Sequence, residues 1–152
     1  MIFETTRFGT IEVDEAKAVC FQEGLPGFPE ARRFVLLQHS PESPFHWLQS
    51  MDDPALAFVV MDPLLLDENY LNAIPKESLA ELNLEEAQGA AVLVIVNIQR
   101  ANQSITANLM APLVINPENR MGKQVILLGS GYEIRHTIMP EPQAQKQCRT
   151  NS

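Results

Sequence analysis

The sequence predicts a mainly β fold: a small antiparallel β-barrel or sandwich with one short helix. Three observations lead there. Apolar and β-branched residues recur in short runs, several of them alternating. Clusters of Gly, Pro, Asn and Asp separate the runs. Only the stretch after Pro75 has the start signal and spacing of a helix.

Residues 2–13 predict a hairpin, because Gly9 supplies a turn between β-branched and aromatic flanks. Ala18–Phe21 is the next short strand. Gly24-Leu25-Pro26-Gly27-Phe28-Pro29 is irregular: its two prolines lack backbone donors and its two glycines permit positive φ. Pro29 is placed to open one helical turn through Arg33. Phe34–Leu37 and Phe45–Ser50 are strands, with Phe28, Phe45, Trp47 and Phe58 assigned to the core. Asp52-Asp53-Pro54 turns the chain into Leu56–Met61, which is apolar on both faces and so central.

Residues 64–74 form a connector with a short strand expected at Tyr70–Asn72. Pro75 starts a helix over Lys76–Leu82. Leu79 and Leu82 share a face, and Glu77 suits the positive end of the helix dipole. Ala90–Gln99 is the longest strand and the expected centre of the sheet. Ser104–Leu109 alternates, Pro112–Asn116 is a strand, and Lys123–Leu128 pairs back on it. Pro112 suggests an edge. Gly129-Ser130-Gly131 breaks the pattern before a last strand, Tyr132–Ile138. Residues 1–139 form a single domain; residues 140–152 are a polar, proline-containing tail expected to be disordered.

At 152 residues the chain suits one domain able to bury about 70% of its unfolded surface. Its net charge of −8 argues against direct nucleic-acid binding and against anionic membranes, and favours a basic partner. Cys20 and Cys148 make neither a metal-spaced cluster nor a disulfide framework. Cys20 reads as a buried small hydrophobe and Cys148 as a free thiol. No signal peptide or membrane span is evident, and a reducing cytoplasm is expected.

The search for chemistry leaves little. His39, His46 and His136 lack metal-ligand spacing, Ser130 lacks the leading glycine of a nucleophile elbow, and no phosphate-binding run exists. No catalytic residue, cofactor or metal is therefore assigned. One enzymatic or metabolite-binding alternative survives: a small barrel using the Asp52–Asp53 carboxylates. Adjacent residues on a turn usually point apart, and Asp before Pro is ordinary turn chemistry.

The charge distribution is more informative. Residues 52–86 hold nine acids and one base, Lys76, while the rest of the chain is neutral. The whole excess therefore lies on one stretch of turn, connector and helix. It reads either as a solvated face or as a docking surface for a basic protein.

Four blocks of sequence, in order, make the chain recognisable: EGLPGF (Glu23–Phe28), RFVLL (Arg33–Leu37), SPFHWLQSMDDPALAFVVMDP (Ser43–Pro63) and TANLMAPLVINPENRMGKQVIL (Thr106–Leu127). Over about residues 2–136 it resembles the FliW family of bacterial flagellar assembly factors. Met110 departs from the glutamine that the family often carries, so no polar role is given to it. The resemblance implies a compact, mostly β protein without catalytic activity that binds flagellin and the RNA-binding regulator CsrA. Held by the free protein, CsrA cannot silence flagellin message; flagellin, when abundant, displaces it. On this reading Asp52, Asp53, Asp67, Glu68, Glu77 and Glu81 are the expected CsrA-facing residues. Leu113 and Ile115 are the candidate flagellin contacts.

Overall fold

The longest strand organises the molecule. In the computed structural model, which describes residues 2–25, 27–38, 42–99, 101 and 104–139, that strand spans Ala91–Gln99. The strands are β1 (Ile2–Thr5), β2 (Gly9–Glu12), β3 (Val19–Phe21), β4 (Arg33–Gln38), β5 (Phe45–Ser50) and β6 (Ala57–Met61), then β7 (Ala91–Gln99), β8 (Ser104–Ala107), β9 (Leu113–Asn116), β10 (Met121–Gln124) and β11 (His136–Met139). The helix α1 is Lys76–Glu81.

β7 pairs with β6 along one edge. Its other edge is shared: Ala91–Leu93 pair with β9, and Val96–Gln99 pair with β8. This double use closes β7-β6-β5-β4-β3-β10-β9 into a seven-stranded barrel and leaves β8 and β11 as an extension of the sheet. The pairing is antiparallel except where β3 runs parallel to β10. That junction is close because Gly122 has no side chain: a Cβ there would sit 2.6 Å from the Phe21 ring.

Alternation along the strands sorts apolar residues onto two faces. Phe21, Phe34, Leu48, Val60, Leu113 and Ile115 cluster inside the barrel. On the opposite face Met61, Val92, Val94, Val96 and Val114 pack under the 62–90 connector with Tyr70, Leu79 and Leu82. The β1–β2 hairpin covers a third cluster around Val13, Val35 and Met51.

Several expectations are corrected. Residues 29–33 form no helical turn; Phe28 O accepts from Ala31 N, and Arg33 already begins β4. Tyr70–Ala73 is a 3-10 helix and not a strand. The last strand is confined to β11, with a turn at residues 134–135. Pro112 does not mark an edge, since it is fully buried and β9 is paired on both sides. Phe28 is not core: it is 41% exposed, its ring edge-on to Phe58. Trp47 is half-buried, with Phe8 against its edge and the Arg7 guanidinium 4.6 Å from the ring centroid. Cys20 is half-buried also. Pro26, His39, the 140–152 tail and Cys148 lie outside the described residues.

The helix forms as expected and ends on a specific device. Asn83 adopts φ 61°, and Leu84 N–H reaches back to Leu79 O at 2.8 Å while Asn83 N–H bonds Ala80 O. This is a Schellman-type stop with asparagine in the left-handed position. Asn116 Nδ2 donates to Leu82 O at 2.7 Å, fixing the helix end to β9.

Candidate protein-binding surfaces

The six acids singled out in the sequence are on the surface but do not form one cluster. Asp52 and Asp53 stand in the β5–β6 turn and line a groove with Gly27–Ala31. Glu81, on α1, lines a second groove with Glu23, Leu25 and Lys123. Gly27 and Pro29 border both, so the two grooves adjoin there. Asp67 lies elsewhere, against Tyr132.

Four of the six already serve the fold. The Asp52 carboxylate accepts from Arg32 N (2.8 Å) and Arg33 N (2.9 Å), with the Arg33 guanidinium at 3.9 Å. Partial burial raises its pKa, but the two backbone donors and the arginine charges outweigh that, so it lies below the ordinary aspartate value. Asp67 accepts from the Tyr132 hydroxyl at 2.6 Å and from Asn69 N at 2.9 Å. These bonds hold its carboxyl below the usual range and push the Tyr132 phenol up. Glu81 pairs with Lys123 of β10 and raises that ammonium's pKa. Asp53 closes its own turn by accepting from Ala55 N at 3.0 Å. Glu68 and Glu77 are exposed, as are their neighbours Glu85 and Glu86.

Asp52 is thus a clasp between the β5–β6 turn and β4, and its chemistry is spoken for. Because its folded pKa is depressed, the stabilisation is complete above the unfolded value of about 4 and is lost as pH falls through the folded value. Asp52→Asn is expected to lose about 1 kcal/mol near neutral pH. Denaturant melts at descending pH should then show the variant losing less stability than the parent below about pH 4.

Leu113 and Ile115 are not surface residues. They are 0% and 4% exposed inside the barrel, where β9 closes it. The apolar side chains that do reach solvent include Leu65, Ile126, Leu128 and Ile134. Sequence reasoning passed over Ile126 and Leu128, although both faces of the Lys123–Leu128 run are apolar at its end. Among the described residues, no three His, Cys, Asp or Glu side chains converge to hold a metal ion. None of the described helices is long and apolar enough to cross a membrane.

Comparison with known proteins agrees with this anatomy. The family model described as FliW protein matches residues 2–138. The flagellar assembly factor FliW of Alkaliphilus metalliredigens (strain QYMF) is 37% identical over 148 residues, covering 97% of this chain and 91% of that protein. The flagellar assembly factor FliW of Syntrophus aciditrophicus (strain SB) is 40% identical over 139 residues, covering 91% and 88%. A crystal structure of the flagellar assembly factor FliW superposes with a TM-score of 0.81 at 39% identity, covering 93% of this chain and 99% of that one. The chain belongs to the FliW family, whose members are flagellar assembly factors and not enzymes.

Proposed function

We propose that this chain is a cytoplasmic regulator that binds two proteins, flagellin and the RNA-binding translational regulator CsrA. Free, it holds CsrA away from flagellin message; occupied by flagellin, it releases CsrA and flagellin translation stops. Translation is thereby coupled to the flagellin level.

The observation that carries the CsrA arm is the net −8 of residues 52–86. CsrA must be basic to bind RNA, and an acidic surface attracts it while repelling the competing phosphates. Asp52, Asp53, Asp67, Glu68, Glu77 and Glu81 are the proposed contributors, with Glu85 and Glu86 adding to the same field. Asp52 and Asp67 also hold backbone and tyrosine donors, so changing them would mix stability with binding.

The clean variant replaces Glu68, Glu77, Glu85 and Glu86 with Gln, since all four are exposed. Each rim charge contributes roughly 0.2–1 kcal/mol. Together they are expected to slow CsrA association about tenfold at low salt, flatten its salt dependence and leave flagellin binding alone. Stopped-flow association rates at two ionic strengths read this directly. An unchanged low-salt rate would make the acidic stretch a solvated face only.

A further inference from the structure

We propose that the groove where β3 and β10 part binds a small organic cation, an ammonium or guanidinium group carried on an apolar stem. Such a ligand is distinct from either protein partner. The groove follows from the strand register. Cys20 and Phe21 lie opposite Met121 and Gly122 across the parallel junction of the barrel. β3 ends at Phe21, while β10 runs on through Gln124. Past Phe21 the chain turns away, with Gly24 N–H bonded back to Phe21 O at 2.9 Å. The barrel wall therefore opens beside Lys123 and Gln124, leaving a groove of about 460 Å³. That volume is within the roughly 300–1,000 Å³ of small-molecule sites. Its floor is apolar: Phe21, Leu25 and Leu82 are 1%, 2% and 5% exposed, and Met121 is half-buried.

Charge selects the ligand. Three elements place ionic groups on the rim: Glu23 from the loop after β3, Glu81 from α1 and Lys123 from β10. Lys123 pairs with Glu81, so those two charges cancel. The Glu81 bond raises the Lys123 pKa, and the nearby Glu23 charge adds to it. Among the described residues, Glu23 itself has no hydrogen-bond or ion-pair partner. The rim thus carries one uncompensated negative charge above an apolar floor. An anion would meet two carboxylates, and a neutral apolar ligand would leave Glu23 unpaired. A monocation on an apolar stem meets both demands: the stem covers Leu25 and Leu82, and the cation reaches Glu23. Gly27 and Pro29 also line the adjoining groove with Asp52 and Asp53, so a ligand seated against this loop holds the border of that groove too.

The test titrates the full chain with pentylammonium at neutral pH and follows its amide resonances by NMR. Pentanol and pentanoate, alike in stem but with a neutral and an anionic head, are the comparison probes. Pentylammonium is expected to shift the resonances of Gly24, Leu25, Gly122 and Lys123 saturably. Pentanol should bind at least about tenfold more weakly, and pentanoate not at all. Glu23→Gln should lose about tenfold in pentylammonium affinity at an unchanged melting temperature, because Glu23 is exposed. Glu12→Gln, exposed on the β1–β2 hairpin, should change nothing. Equal affinity for pentanol, or unchanged affinity in Glu23→Gln, would overturn the proposal. So would shifts that spread over the exposed acids of residues 52–86 without saturating, the mark of a loose counterion atmosphere. Loss of CsrA binding in Glu23→Gln, with no saturable pentylammonium binding to the parent, would overturn it in favour of a partner protein's cationic side chain.

Discussion

Leu113→Glu is expected to abolish folding. Leu113 is fully buried in the barrel interior with Phe21, Phe34, Leu48 and Val60, and its backbone lies in β9, the strand that closes the barrel. Truncation to Ala would leave a cavity and cost roughly 2–5 kcal/mol. Glu adds a carboxylate with no cation inside that apolar cluster, and desolvating it costs several kcal/mol more. The sum is comparable to the 5–15 kcal/mol that holds a typical domain together. Urea denaturation of the Ala variant should show a much lower midpoint, and the Glu variant should lack a cooperative transition. A Leu113→Glu protein that melts like its parent would mean that β9 does not close the barrel as described.

Gly24→Ala is the second large effect. Gly24 opens the EGLPGF loop at φ +70°, and a Cβ there would lie 2.6 Å from Phe28 O and from the Pro29 backbone. The positive φ alone costs an alanine about 1–2 kcal/mol. The clash cannot be relieved by a rotamer change, because Phe28 O is already bound by Leu25 N and Ala31 N. We expect a loss of about 2–4 kcal/mol in all. Gly27→Ala is the control: its φ is +82° but nothing lies within 4 Å of the added methyl, so it keeps the φ penalty without the clash. Equal denaturation midpoints for the two variants would show that the loop can open.

Much of this anatomy was legible in the residues. Val92, Val94 and Val96 alternate with Leu93 and Ile95, so both faces of β7 are apolar and the strand had to be central. Pro75 and the Leu79–Leu82 pair announced α1. What failed to show was long-range. Asp52 looked like turn chemistry or a carboxylate pair, and its partners, Arg32 and Arg33, come from the start of the neighbouring strand β4, about twenty residues earlier in the chain. Pro112 looked like an edge because a proline lacks a donor, yet its carbonyl accepts Val125 N and the barrel closes around it. Tyr70 read as a strand residue; tertiary contacts decide otherwise, since its hydroxyl donates to Leu109 O and its ring meets Tyr132 edge-on. Leu113 and Ile115 became surface candidates through the same proline. The charge excess of residues 52–86 was fully visible, but not its division between two grooves of the EGLPGF loop and the Tyr132 side of the connector.

The most direct test of the two-partner account is a displacement measurement with purified proteins. The chain is loaded with CsrA at low salt, flagellin is added in increasing amounts, and free CsrA is read by size-exclusion chromatography. The account predicts that CsrA leaves as flagellin binds. Retention of CsrA by the parent at saturating flagellin, in a stable three-protein complex, would contradict it.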